Sequence, residues 1–235
     1  MIPPATDKTA ARDDGEEVRR RAAEDVRLAR ALAEAGRRAP LLGGEVYVTW
    51  GLAVAAGLVV NWAIVVKAIA VSSWTIALSW FVLMSAAGLI SARIQNSLAG
   101  RTGAVGIGNS VSSAVWRAAG AFLGVFALTL FAAGLVSPFD PGASGAERGR
   151  WISAGFSMFT PASFGVYAIA MEASSAAAQA PWLRVFSRLS FASMAVLIVM
   201  ANSPAQLLIA AGCAIMVLAL PGALMMRQAR GNFDG

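Results

Sequence analysis

The sequence predicts an all-α integral membrane protein with six transmembrane helices in three hairpins, preceded by a cytoplasmic amphipathic helix. The 235-residue chain is 57% hydrophobic and only 14% charged, with a mean hydropathy of +0.64. Soluble domains have ~45–50% apolar and ~25% charged residues, so this composition is typical of a membrane protein. Six apolar stretches follow a polar tail. Each is about as long as the ~20-residue helix that crosses a bilayer core of ~30 Å.

Residues 1–44 form the polar tail, and we expect a helix over about 14–38 within it. Asp14 suits the N-cap position, and Glu17 three residues later completes the pattern of a capping box. Gly36 and Pro40 end the helical pattern. Residues 1–46 carry nine basic and nine acidic residues, so the tail is neutral as a whole.

The arginines of this predicted helix gather on one side when the residues are placed at 3.6 per turn. We single out four of them as candidates for contact with membrane lipid or with a cytoplasmic protein partner: Arg19, Arg20, Arg27 and Arg30. The apolar side is mostly alanine and valine, so its burial would add little membrane affinity. Four alternatives stay open: contact with anionic lipid, contact with a protein, docking under the bundle, and a simple solvated helix.

The membrane domain covers residues 45–230, and residues 231–235 form a C-terminal tail. We predict spans over 47–66, 71–92, 118–136, 151–171, 183–201 and 206–226. The fifth span begins with Arg184 and Arg188, whose long side chains can reach the headgroups, and the other five contain no formal charge.

The longest predicted connection between spans covers residues 93–117 and is rich in glycine. Its residues 103–110 have the spacing of a phosphate-binding loop, but Asn109 stands where the lysine of that motif belongs. We therefore interpret it as a flexible connection, and as a second candidate contact region for a cytoplasmic partner.

The basic residues predict the orientation. The net charge of +6 lies entirely outside the neutral tail, between the apolar spans. With the N-terminus inside, seven basic residues of the membrane domain fall on the cytoplasmic side and three fall outside. The positive-inside rule then places both termini in the cytoplasm of a bacterial-type inner membrane. Charge spaced in this way indicates topology, and we expect no nucleic-acid binding.

Two local patterns concern packing. Gly120 and Gly124 form a GxxxG motif in the third span, which allows helices to approach closely. We expect this packing within the bundle, with homodimerisation as the alternative, and the oligomeric state stays open. Pro161 in the fourth span is a candidate hinge, because proline interrupts helical hydrogen bonding.

The residue types present exclude several kinds of chemistry. The chain has no histidine and a single cysteine, so the usual haem, zinc and iron–sulfur ligand sets cannot be assembled from it. We therefore expect no metal, no cofactor and no enzymatic activity. The expected function is a regulatory or interaction protein that contacts a partner through its tail and the 93–117 connection. The alternative is a small-solute transporter or channel subunit without side-chain proton coupling, since no carboxylate or lysine is predicted at mid-membrane depth.

Overall fold

The computed structural model describes residues 19–31, 42–72, 74–98, 106–136 and 144–231, and these residues form helices and no strand. Residues 19–31 are helical and are named α1. The predicted start of this helix at Asp14 and its predicted end at Gly36 lie outside the described residues. The other helices are α2 (Gly44–Val65), α3 (Trp74–Leu98), α4 (Ile107–Val136), α5 (Gly145–Ala177), α6 (Leu183–Val199), α7 (Ala205–Ala214) and α8 (Leu220–Gly231).

Five stretches of the described chain are long and apolar enough to cross a membrane: α2, α3, α4, α5 and the continuous stretch from Ala205 to Ala229. The protein is therefore an all-helical protein of the membrane-embedded kind. The fifth predicted span, 183–201, corresponds to α6, which has 17 residues and is not among these stretches. At 1.5 Å per residue α6 is about 25 Å long, somewhat shorter than a bilayer core.

The core lies between α2, α5, α6 and the last helical stretch, where buried apolar side chains of these elements meet. Helix α3 packs mainly on α2, and α4 packs mainly on α5. Large apolar side chains stay exposed on these two outer helices, among them Phe81, Leu89, Val125 and Leu128. In a membrane-embedded protein this outward surface suits contact with lipid.

The structure corrects the predicted connection over residues 93–117. Helix α3 continues to Leu98 and α4 begins at Ile107, so residues 93–98 and 107–117 of the predicted connection are helical. The first turns of α4 are held by α5: Gly108 lies against Ala178, and the Ser112 hydroxyl lies 3.0 Å from the Ser174 hydroxyl. These contacts between distant residues stabilise helix in a segment whose own sequence favours a loop.

Helix α5 also begins earlier than predicted, at Gly145 instead of Trp151. Ser144 and Glu147 form a capping box: the Ser144 hydroxyl accepts from the Glu147 amide, and the Glu147 carboxylate accepts from the Ser144 amide. The Ser-x-x-Glu pattern before an apolar run is a known start signal, and it stands in the sequence at this point.

The last helical stretch contains a π-helical segment, Ile215–Ala219, between α7 and α8. Pro221 lies two residues after this segment, and it has no N–H to donate to the carbonyl of Val217 one turn earlier. The wider π turn gives room at the point where α-helical bonding is interrupted. This segment packs on α2 so closely that a Cβ atom on Gly51 would lie 2.6 Å from the Ala219 amide nitrogen.

Candidate functional site

The predicted contact residues Arg19, Arg20, Arg27 and Arg30 lie on α1. At 100° per residue, Arg19, Arg20, Arg27 and Arg30 lie within an arc of about 100° around the helix. Each residue from 19 to 31 is exposed. Helical periodicity therefore places these four exposed arginines on one side of α1, which we call the arginine face.

The rest of the α1 surface is equally open. Val26 is 52% exposed and Leu28 is 60% exposed. An amphipathic helix docked under the bundle would bury such side chains. The described part of α1 therefore does not pack on the membrane domain. Its two large apolar side chains, Val26 and Leu28, are exposed and available for other contacts.

A second feature is an uncharged cluster that joins α2, α4 and α5 at one end of the bundle, which we call the Tyr47 end. The rings of Tyr47 and Trp116 meet edge-on with centroids 5.0 Å apart, and Trp116 lies 6.0 Å from the ring of Tyr167. The Tyr47 hydroxyl lies beside the paired hydroxyls of Ser112 and Ser174. Within the described chain neither this hydroxyl nor Trp116 Nε1 forms a hydrogen bond with good geometry.

The chain that enters α2 is fixed at this same end. The backbone amide of Leu42 donates to Asn109 Oδ1 at 2.9 Å. Asn109, which occupies the lysine position of the loop motif, thus has a structural partner, and it attaches the end of the tail to the first turn of α4. An ion pair between Arg184 and Glu172, 3.3 Å apart and half-exposed, links α5 and α6 nearby.

A third feature surrounds the predicted hinge. Helix α5 continues without interruption through Pro161, whose ring is fully buried. Since proline has no N–H, it leaves the carbonyl of Ser157 without its helical donor. The side chain of Gln206, only 3% exposed, donates from Nε2 to this carbonyl at 2.8 Å.

The same amide nitrogen of Gln206 donates to the carbonyl of Leu197 at 2.9 Å. Leu197 lies in the last turn of α6, where carbonyls have no helical donor of their own. Gln206, on α7, thus donates to two buried carbonyls, one on α5 and one on α6. We call this part of the bundle the Gln206 end. This role was not predicted from the sequence, although the signal was present in a proline within one span and an amide at the start of another.

Gly120 and Gly124 do not contribute to the helix contacts of the described bundle. Both are exposed on α4, and an added Cβ atom would meet nothing within 4 Å at either position. The expected packing of this pair within the bundle is therefore not seen. Close approach is found at other glycines, since a Cβ on Gly44 or Gly222 would lie 2.5 Å from the backbone oxygen of the other.

The described residues hold no group of three or more histidine, cysteine, aspartate or glutamate side chains placed to bind a metal ion. The buried polar side chains in the described chain are serines and Gln206. Two of these serines bind backbone across a helix contact: Ser187 donates to the Ala168 carbonyl at 2.9 Å, and Ser190 donates to the Phe164 carbonyl at 2.7 Å. Hydrogen bonds of this kind hold helices together in a membrane.

Comparison with known proteins gives no match: no family model, no curated protein and no solved structure matches this chain. Its function is therefore inferred from its own residues alone.

Proposed function

We propose that the protein is a membrane-embedded interaction protein that presents the arginine face of α1 to a partner at the cytoplasmic surface of a bacterial-type inner membrane. The observation that carries the proposal is the exposure of α1 on all sides, with four arginines in one arc. A helix that serves only the bundle would bury one of its faces against it. The predicted contribution of residues 93–117 is not retained, since residues 107–117 belong to α4, whose first turns pack on α5.

The polar interior supports interaction over transport. A transport pathway needs polar groups that are free to bind a solute. In the described chain three buried polar atoms make no hydrogen bond: the Tyr47 hydroxyl, Trp116 Nε1 and the Ser91 hydroxyl. By contrast, Gln206 uses its amide nitrogen on two backbone carbonyls, and Ser187 and Ser190 bind the backbone of α5. These side chains hold helices together, which suits a rigid anchor for α1.

The proposal includes the six-span topology with three hairpins and both termini in the cytoplasm. Because α6 has only 17 residues, its length does not decide whether it spans the membrane. The support for a sixth span comes from the contacts of α6. Along α5, Glu172 and Ser157 are fifteen residues apart, about 22 Å. Helix α6 reaches both positions, through Arg184 and Glu172 at one end and through Leu197 and Gln206 at the other. With its flanking turns it covers nearly the thickness of a bilayer core.

Exposed arginines support the same orientation. Among the described residues of the membrane domain, five exposed arginines belong to the predicted cytoplasmic side (Arg93, Arg117, Arg184, Arg188 and Arg227), against Lys67 and Arg150 on the predicted outer side. Excess Lys and Arg on one side of the membrane fixes the orientation of a multi-span chain.

Photo-crosslinking in living cells tests the proposed contact. A photoreactive amino acid at Ala23 stands in the middle of the arginine arc, and one at Ala29 stands about 120° away on the same helix. We expect the probe at Ala23 in the full chain to form a defined adduct with lipid or protein. Charge reversal of Arg19, Arg20, Arg27 and Arg30 to glutamate should abolish this adduct, while replacement by lysine should preserve it.

The probe at Ala29 is the matched control, because it replaces an exposed alanine of the same helix outside the arc. Equal adducts from both positions, or an adduct that survives the charge reversal, would show that the arginine face makes no specific contact. The proposal would then be wrong.

A further inference from the structure

We infer that the arginine face of α1 binds the anionic headgroups of the membrane in which the bundle is embedded. This inference rests on the proposed function, since it names the partner of the same face. The first reason is charge. The described part of α1 carries five arginines and two acidic residues, and four of the arginines share one arc. Guanidinium groups pair well with phosphate oxygens, and an anionic leaflet attracts basic segments beside a membrane span.

The second reason is the placement of the large apolar side chains. Val26 and Leu28 lie about 160° apart around the helix. A helix that docks in a protein groove presents its apolar anchors along one face, at spacings of three and four residues. The described part of α1 has no such face, because its other apolar residues are alanines. Its recognition surface is therefore ionic, and an ionic surface fits an extended layer of phosphates better than an apolar groove.

The third reason is distance. The chain is fixed at Leu42 by its bond to Asn109 at the Tyr47 end of the bundle. Residue 31 is eleven residues away, so the end of α1 stays within about 40 Å of that point even if the chain between is fully extended. This tether keeps the arginine face at a high local concentration near the leaflet from which α2 enters the membrane.

Full-length protein in nanodiscs tests the inference. Cys213 is replaced by serine, and a single fluorophore is attached through Ala23→Cys or, as the matched control, through Ala29→Cys. The nanodiscs contain a headgroup-attached quencher, in either purely zwitterionic lipid or lipid with a large phosphatidylglycerol fraction. We expect strong quenching at position 23 in the anionic discs, weaker quenching at position 29, and weak quenching at both in the zwitterionic discs.

The effect of each arginine gives a second measurement. A basic residue near an anionic surface contributes enough to change the bound-to-free ratio of the helix about fivefold. Single Arg→Gln changes at 19, 20, 27 or 30 should each lower that ratio by about this factor, while Arg→Lys should leave it nearly unchanged. Salt at about 1 M, where the Debye length is about 3 Å, should abolish the quenching.

The outcomes separate the two proposals. Quenching that is independent of lipid charge, or equal at positions 23 and 29, would overturn the lipid inference. If a defined protein adduct still forms at Ala23 in cells, the proposed interaction function stands with a protein as the partner. If no adduct forms and no lipid dependence is measured, both proposals are wrong.

Discussion

The carbonyl that Pro161 leaves free and the side chain of Gln206 form a matched pair in the core. The backbone of α5 loses one hydrogen bond at Ser157, and an amide from α7 replaces it at 2.8 Å. A buried carbonyl without a donor costs about 1–3 kcal/mol, so this replacement is a sizeable part of the stability of a small bundle. It also explains how α5 runs without interruption through a proline.

We expect Gln206→Leu to lower the free energy of unfolding by about 2–4 kcal/mol, because two buried carbonyls lose a donor at once. In a Pro161→Ala background the helix supplies an N–H for Ser157, so the same substitution should be about 1–2 kcal/mol less damaging. Denaturant unfolding of the detergent-solubilised protein measures all four corners of this double-mutant cycle. Gln228→Leu, at an exposed position of α8, is the control and should change stability by less than about 0.5 kcal/mol.

An equal effect of Gln206→Leu in both backgrounds would mean that proline and glutamine act independently. Gln206 would then not compensate for the hydrogen bond that Pro161 removes, although its bond to Leu197 could still explain a loss of stability.

At the scale of helices, the close contact in this protein is between α2 and the last helical stretch. Gly44, Gly51 and Gly222 lie where a side chain would strike backbone atoms of the facing helix. In lipid, where apolar surface gives no net drive for association, such close contact supplies much of the attraction between helices. The first and the last parts of the membrane domain are therefore joined through glycine.

We expect Gly51→Ala to destabilise the protein by about 1–3 kcal/mol, because the new methyl group would lie 2.6 Å from the Ala219 nitrogen. Gly124→Ala is the matched control: its methyl group meets nothing, and alanine favours helix by up to about 1 kcal/mol over glycine. Thermal unfolding in one detergent should therefore move in opposite directions for the two variants. A loss of stability in Gly124→Ala as large as that in Gly51→Ala would contradict this assignment of the helix contacts.

The membrane helices were predictable because an apolar run of about twenty residues is typical of a membrane-spanning helix and of few other structures. Their limits were less predictable, since they depend on partners that are distant in the sequence. The first turns of α4 are fixed by Ser174 and Ala178, about sixty residues later. The GxxxG motif predicts close packing at Gly120 and Gly124, whereas the described close contacts involve glycines outside that motif, among them Gly44, Gly51 and Gly222. The start of α5 is marked in the sequence by Ser144 and Glu147, although the predicted span begins only at Trp151.

For the molecule as a whole, the four arginines of α1 could be recognised from the sequence because helical periodicity alone brings them together. The exposure of α1 could not be predicted from the sequence, since it depends on which surfaces the membrane domain buries. The cluster at Tyr47 and the bonds of Gln206 were equally out of reach, because each joins three helices. Together these features describe a bundle whose helices are joined near both ends by hydrogen bonds and ring contacts, and a separate helix α1 with four arginines in one arc.

The proposed six-span topology predicts which side of the membrane each end of the bundle faces. If α6 crosses the membrane, the turn before α7 lies on the periplasmic side and the end of α5 lies in the cytoplasm. Ala176 and Ala205 are exposed alanines at these two places. In a Cys213→Ser background, a membrane-impermeant maleimide should label Ala205→Cys in intact spheroplasts, and should label Ala176→Cys only after permeabilisation. A reporter fused after Gly235 should be active in the cytoplasm.

The contrary outcome is equally specific. If α6 does not cross the membrane, only five spans remain. Ala205→Cys is then shielded from the reagent together with Ala176→Cys, and the fused reporter lies on the periplasmic side. Because the two variants make the same substitution, a difference between them in intact spheroplasts measures the side of the membrane and not the reactivity of the thiol.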